Sequence, residues 1–213
     1  MNRKITDRFV PVARRKESQR PRFRHAGSAF SAGMLVLLLL LSQCVPARAQ
    51  ESRSVEYQVK AAFLLNFAKF VDWPADAFEN ETAPINFCVF RQDPFGRALA
   101  DITQGKSINN RGLQIRHIQD VANLKSCQIV FLSDAAYKQL PEVLDSLKGS
   151  SALVVGESEG FAERGGGIQF YLEDGKVRFS VNVDATKRAR LTVSSKLLAL
   201  ARIVHDQGNS KGN

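Results

Sequence analysis

The chain has 213 residues, 44% of them hydrophobic and 24% charged, with a formal net charge of +9 at pH 7. Residues 1–49 hold ten of the 30 basic residues but only two of the 21 acidic ones, so they carry +8 of that charge. The remaining 164 residues are nearly neutral, which excludes nucleic-acid binding as the reason for the basic balance. Their length favours one domain that needs no dense disulfide framework.

The N-terminal segment is typical of a secretory signal. Eight apolar residues, Met34–Leu41, follow an arginine-rich start and lead to Ala47-Arg48-Ala49. Such a run is too short to span the hydrocarbon layer, which takes about 20 residues. We therefore expect a signal peptide over residues 1–49 and a periplasmic mature protein. Two alternatives stay open: an uncleaved anchor, and a lipoprotein attached at Cys44.

Cleavage after Ala49 leaves two cysteines, Cys88 and Cys127. In an oxidising compartment we expect them to form a disulfide. Closing a loop of about 40 residues would stabilise the fold by roughly 3–4 kcal/mol. The alternative is a pair of buried free thiols. A zinc site is disfavoured because two cysteines without a nearby histidine supply too few ligands.

The first element of the mature chain is a helix, predicted over Val55–Val71. One face of this helix carries an apolar stripe with helical spacing. The remaining face, with Leu64 and Leu65, is apolar too, so the helix is either deeply buried or shared with a second subunit. Trp73-Pro74 ends it. If a second subunit shares the helix, its contacts come from the helical stripe. The residues of the stripe assigned to the dimer recur with helical spacing: Phe63, Asn66, Phe67 and Phe70.

The next segments alternate between strands and helices. Short apolar runs predict strands, and helical spacing with capping residues predicts helices: strands at Ile85–Phe90, Gly112–Ile118, Cys127–Leu132 and Ala152–Val155, and helices at Arg97–Ile102 and Ala135–Leu147, the latter capped by Ser133 or Asp134. This alternation implies a three-layer α/β domain with a mostly parallel sheet. A flavodoxin-like order, 2-1-3-4, would make the first and third strands neighbours and bring the two cysteines together.

The C-terminal part changes period. Apolar and polar residues alternate on both sides of Asp174-Gly175, which predicts a β-hairpin that adds antiparallel edge strands. Asp184 is expected to cap a short basic helix, and Ser194 a last helix that continues to Val204. The predicted domain spans residues 50–206, and residues 207–213 form a disordered polar tail.

Catalytic and ligand-binding motifs are weak. Gly156-Glu157-Ser158-Glu159-Gly160 matches G-x-S-x-G, but His205 is the only later histidine and no long helix follows. We interpret the segment as a turn. The run Gly165–Gly167 lacks the G-K-[ST] of a phosphate loop, and His117 lies on or beside a strand. No catalytic residue, metal ligand or cofactor is expected.

Several segments resemble the YfiR-like periplasmic proteins. They are Tyr57–Pro74, Asp93–Gly96, Gly160-Phe161 with the glycine run, Asn182 and Ser194–Ala201, and the resemblance covers residues 55–204. It implies a regulator rather than an enzyme: a protein that binds the periplasmic sensory region of a membrane-bound diguanylate cyclase, represses it, and so limits cyclic di-GMP and biofilm formation.

The resemblance also implies partners and a bridge. YfiR-like proteins form homodimers, and an outer-membrane lipoprotein is linked to their release from the cyclase. The pair Cys88 and Cys127 matches one disulfide of the family. A second bridge found in some members is absent here, which argues against redox sensing. Some relatives are fused to histidine kinases or encoded beside them, so the alternative is a small-ligand sensor or an accessory protein of such a kinase.

We place the expected docking surface on the hairpin and the helix after it, Gly167–Leu191, together with the loop at Phe161. Edge strands and mixed aromatic-basic surfaces are common binding sites for protein partners. The basic cluster at Lys187 could instead be a solvated helix face. A ligand sensor would place its pocket near Arg91, Asp134 and Glu157. The docking residues proposed from the sequence are Phe161, Ile168, Phe170, Tyr171, Arg178, Phe179, Arg188 and Arg190.

Overall fold

The structure, a computed structural model, describes residues 47–207 and the side chains of residues 51–207. The predicted signal peptide and polar tail lie almost entirely outside the described residues, and both stay predictions. The described part is a three-layer α/β domain with helices on both faces of an eight-stranded sheet. The predicted fold class is confirmed.

The elements are as follows. The strands are β1 (Val71–Asp72), β2 (Ile85–Phe90), β3 (Ser107–Ile108), β4 (Arg111–Ile118), β5 (Ile129–Leu132), β6 (Leu153–Gly156), β7 (Ile168–Glu173), β8 (Lys176–Asn182), β9 (Thr192–Val193) and β10 (Arg202–Val204). The α-helices are α1 (Ala47–Phe70), α2 (Ala98–Thr103), α3 (Leu140–Ser146), α4 (Val183–Arg188) and α5 (Ser195–Leu198). Short 3-10 segments lie at Ala75–Ala77, Val121–Ser126 and Asp134–Gln139. Helix α1 thus begins within the last residues of the predicted signal.

The large sheet has the strand order β10-β8-β7-β6-β5-β2-β4-β3. Strands β4, β2, β5 and β6 are parallel neighbours, so the predicted 2-1-3-4 order is confirmed. Strand β2 lies between β4 and β5, and five of its six residues are buried. The predicted disulfide is also present: it joins Cys88 on β2 to Cys127, two residues before β5, with the two Cα atoms 5.9 Å apart.

The predicted hairpin is confirmed as β7 and β8, which pair antiparallel from Ile168 to Glu173. Asp174 (φ 51°) and Gly175 (φ 71°) form its two-residue turn, with the positive φ angles that a type I′ turn requires. The hairpin is the edge of the sheet only in part, however. Strand β10 pairs parallel with residues 180–182 of β8, with Ile203 opposite Val181, and there satisfies backbone groups that an edge strand would leave unpaired.

Three helix predictions need correction. The last helix ends at Leu198 instead of Val204 because the chain beyond it pairs with β8. The helix predicted over Ala135–Leu147 is a 3-10 segment followed by α3, with Pro141 in its first turn, because proline has no N–H to continue an α-helical ladder through that point. Asn182, rather than Asp184, caps α4 and accepts hydrogen bonds from two backbone N–H groups.

The core has two parts, one on each face of the sheet. On one face α1 packs against β7 and β8, and the ring of Phe67 lies 5.1 Å from that of Phe179 and 5.6 Å from that of Phe170. On the other face the disulfide, Phe161 and Val143 pack under α3. The hairpin therefore gives its apolar row to α1 and turns its polar row outward.

Candidate functional site

The apolar residues of the expected docking surface lie in the core. Phe161, Ile168, Phe170 and Phe179 are at most 2% exposed. Three of them alternate toward α1 along β7 and β8, as the period of a strand requires. The ring of Phe161 fills the space over two glycines, since a Cβ atom on Gly156 or Gly166 would lie 2.2 Å from it. The expectation that these four residues contact a partner is therefore corrected.

The polar residues of the expected surface remain accessible. Tyr171 and Arg178 lie opposite each other on β7 and β8. The guanidinium of Arg202, on β10, lies 4.3 Å from the centre of the Tyr171 ring. Glu173 contacts both arginines, at 3.6 Å from Arg178 and 3.5 Å from Arg202. We call Tyr171, Glu173, Arg178 and Arg202 the hairpin face.

Arg188 and Arg190 do not belong to the hairpin face. Arg188 forms an ion pair with Asp206. Arg190 contacts Asp76 at 2.7 Å and donates to the Ser151 hydroxyl at 3.0 Å. The structure thus brings two of the eight predicted docking residues together on an exposed face. It adds Arg202, which the sequence analysis missed because its segment was predicted to be helical.

The residues predicted to form the dimer also divide into buried and exposed ones. Phe67 is fully buried in the domain core and Phe63 and Asn66 are partly buried, whereas Phe70 is 37% exposed. The outer side of α1 instead exposes Val55 (53%) and Val59 (38%). These two valines and Phe70 lie within about 60° of each other around the helix, given 100° per residue. We call Val55, Val59 and Phe70 the α1 stripe.

A buried polar network occupies the carboxyl ends of β5 and β6. Glu157, with a side chain only 5% exposed, accepts hydrogen bonds from the Lys60 ammonium at 2.5 Å and the Tyr57 hydroxyl at 3.0 Å. It also accepts one from the backbone N–H of Asp134 at 3.2 Å. Lys60 has a second carboxylate partner, Glu56, at 2.5 Å. Burial and the adjacent Glu157 carboxylate raise the pKa of Tyr57 above its ordinary value of 10.0.

This network fills the position where the ligand-sensor hypothesis expects a pocket. Ligands in open α/β sheets bind outside the carboxyl ends of the strands, but here Lys60 and Tyr57 of α1 already fill the space beside Glu157. Arg91 lies apart from the network, with its guanidinium 5.3 Å from the Phe90 ring. The place where the sequence analysis puts a ligand pocket is occupied by the protein's own side chains.

The structure also supports the interpretation of Ser158 as a turn residue. Its hydroxyl donates to Asp134 at 2.5 Å. The two histidines of the described chain have carboxylate partners elsewhere, His117 with Asp93 at 2.8 Å and His205 with Asp184 at 3.0 Å. Within residues 51–207, therefore, no serine-histidine pair is assembled at Ser158. The same residues contain no cluster of three or more potential metal ligands.

A cavity of about 730 Å³ lies between α3 and α4 and is also lined by the start of β6 and by the loop before β7. Its inner wall is apolar, and its exposed rim carries four cations and one carboxylate. The apolar wall includes Leu140, Leu144, Leu147, Leu153 and Leu191, the cations are Lys138, Lys148, Arg164 and Arg188, and the carboxylate is that of Asp145. The sequence analysis missed this cavity because its walls come from segments up to about 50 residues apart, and nothing in their spacing sets the gap between two short helices.

The comparison with known protein families agrees with this architecture. The YfiR/HmsC-like family model matches residues 57–202, from the middle of α1 to the start of β10. In the part of the chain that the structure describes, no helix combines the length and the apolar character needed to cross a membrane. The chain therefore belongs to the YfiR/HmsC-like family, whose members are periplasmic regulators in diguanylate cyclase signalling.

Proposed function

We propose that this protein binds the periplasmic sensory region of a membrane-bound diguanylate cyclase and represses it, which limits cyclic di-GMP and biofilm formation. Family membership supports the pathway. The observation that carries the docking proposal is the hairpin face: an aromatic ring and two half-exposed arginines, Arg178 and Arg202, on neighbouring strands of one sheet.

The chemistry of the hairpin face suits a protein partner. Tyrosine and arginine are enriched among the residues that dominate binding energies at interfaces. The backbone beneath them is ordered, because β7 pairs with β8 along the hairpin and β10 pairs with residues 180–182 of β8, so little conformational entropy is lost on docking. Glu173 holds both guanidinium groups at the surface, where a carboxylate of the partner can exchange with it.

The docking proposal is tested in cells that lack the gene. Deletion should raise cyclic di-GMP, and the wild-type gene should restore it. Complementation with Arg178→Glu should fail, because the reversed charge repels the groups that the arginine binds. Arg97→Glu is the matched control, since the Arg97 side chain is 91% exposed and lies outside the hairpin, at the start of α2. Equal complementation by both variants would exclude the hairpin face.

We propose that the active form is a homodimer that uses the α1 stripe. The stripe places three exposed apolar side chains on one side of a helix whose other side is fixed in the core. Val59→Glu should convert the dimer to a monomer in light scattering after size exclusion. Leu200→Glu is the control, because Leu200 is 73% exposed and lies outside α1. A dimer that survives Val59→Glu contradicts this assignment.

Secretion and release complete the proposal. We propose that residues 1–49 are a cleaved signal and that an outer-membrane lipoprotein relieves the repression. Intact mass of the protein isolated from the periplasm should correspond to a chain that begins at Gln50. A chain that retains residues 1–49 would indicate an anchor instead.

The alternative function is a small-ligand sensor or an accessory protein of a histidine kinase. The cavity between α3 and α4 is the observation that favours a sensor. Two results together would select it: cyclic di-GMP that does not change on deletion, and co-purification of the mature domain without a membrane cyclase.

A further inference from the structure

We propose that the cavity between α3 and α4 binds a long-chain carboxylate, with its alkyl tail against the leucine wall and its carboxylate at the cationic rim. The residues that line this cavity include no member of the hairpin face and none of the residues that contact Glu157. It does not depend on the identity of the protein partner.

The interior of the cavity suits an alkyl chain. Its volume of about 730 Å³ falls within the range of small-molecule pockets, about 300–1,000 Å³. Leu140, Leu153 and Leu191, which line it, are buried, at 2%, 1% and 6% exposed. An apolar wall of this kind gains free energy by covering methylene groups.

Two glycines keep that wall free of side chains. Gly165 has a φ of +100°, and a Cβ atom there would lie 3.1 Å from Leu144 and 3.6 Å from the guanidinium of Arg188. A Cβ atom on Gly167 would lie 3.0 Å from Leu153. Any side chain at residue 165 would therefore enter the space between the leucine wall and the rim.

The rim determines the sign of the ligand's charge. Two of its cations already have carboxylate partners: Lys148 pairs with Asp145 and Arg188 with Asp206. Lys138 and Arg164 have no carboxylate within ion-pair distance among residues 51–207.

Arg164 is also positioned for an anion. Its guanidinium lies 5.5 Å from the centre of the Tyr137 ring, a contact that orients the planar group without neutralising it. A planar guanidinium binds carboxylates through two parallel N–H donors. A ligand with one negative charge and an apolar tail therefore satisfies both parts of the cavity, whereas a neutral amphiphile satisfies only the wall.

The first experiment is a chain-length series on the purified mature protein. Octanoate, decanoate and dodecanoate are titrated by calorimetry below their critical micelle concentrations. Each added methylene should tighten binding about fourfold, and acetate should show no saturable binding. Dodecanol should bind at least tenfold more weakly than dodecanoate. Equal affinities for dodecanol and dodecanoate, or no saturable binding of dodecanoate, would overturn the proposal.

The second experiment uses variants of the rim. Lys138→Gln with Arg164→Gln should weaken dodecanoate binding at least tenfold and leave dodecanol binding unchanged. The matched control is Lys176→Gln with Arg97→Gln, which removes two exposed cations that do not line the cavity and should leave dodecanoate binding unchanged. Ala189→Trp, at a partly exposed wall position, should abolish binding of both ligands. Melting curves verify that each variant folds, and unchanged dodecanoate binding by the folded rim variant refutes the site.

Discussion

The disulfide gives the sharpest test of the energetics. Cys88 and Cys127 are 39 residues apart, and closing a loop of about 40 residues is worth about 4 kcal/mol at 25 °C in the chain-entropy account. Both cysteines are buried, at 1% and 2% exposed. Cys88→Ala with Cys127→Ala therefore loses the bridge and also leaves two small voids, each costing about 1 kcal/mol. The total expected loss in the free energy of unfolding is about 6 kcal/mol.

Reduction of the wild type separates the two contributions. Reduced wild-type protein keeps both sulfur atoms in the core and loses only the cross-link, so it should lose about 4 kcal/mol. For a domain of this size 1 kcal/mol corresponds to about 2–4 °C in Tm, which predicts a decrease of about 8–16 °C. The assay is thermal and urea unfolding, with mass spectrometry to count free thiols. A fully reduced protein with the same Tm as the oxidised protein would refute the reasoning.

Three further predictions concern single residues. Lys60→Met leaves Glu157 buried without its cation and should cost about 3–5 kcal/mol in urea unfolding; an unchanged midpoint contradicts this. Asn182→Ala removes the cap of α4 and a buried donor to the Ala162 carbonyl, and should cost about 2–4 kcal/mol; a loss below about 0.5 kcal/mol is too small for this reasoning. Because burial raises the pKa of Tyr57 above 10.0, the stabilisation by its neutral phenol is complete below pH 10 and is lost as the pH rises further. The stability of Tyr57→Phe should therefore fall less steeply than that of the wild type between pH 9 and 11.5, and parallel curves would exclude the effect.

The inner parallel strands β2, β5 and β6 could be predicted from the sequence because they are buried on both faces. Ile85–Phe90 is a short apolar run between turn residues, and the structure reproduces its bounds without change. The order of the parallel strands is the one common in flavodoxin-like sheets, and the pairing of the two cysteines supplied an independent distance constraint. Local pattern and tertiary structure agree at these positions.

The edges could not be predicted because pairing there depends on distant backbone. Residues 202–204 have helical spacing with Leu197 and Leu198, yet β8 has a free side that only another strand can satisfy. Phe161 was assigned to the surface as part of a glycine-rich loop. Two glycines, one on β6 and one in the loop, leave the room in which its ring is buried, and no local pattern shows which ring a glycine accommodates.

The Glu157 network, too, depends on contacts between residues that are distant in sequence. Lys60 and Glu157 are 97 residues apart in sequence and 2.5 Å apart in the fold. The G-x-S-x-G match drew attention to Ser158, whereas the adjacent Glu157 carries the buried charge. The sequence feature that could have predicted this ion pair is Lys60 on the first helix. A lysine on a helix with apolar residues on all sides requires a buried anion.

The assignment of the hairpin's apolar row to α1 determines how a partner can recognise this protein. Without that row, the proposed docking depends on Tyr171 of β7 and on two arginines that are about half exposed, Arg178 of β8 and Arg202 of β10. Exposed ion pairs contribute little to stability, but complementary charges raise the rate of association and are screened by salt. Substituting Arg178 should therefore slow association with the partner and flatten its salt dependence, while the melting temperature of the domain stays close to that of the wild type.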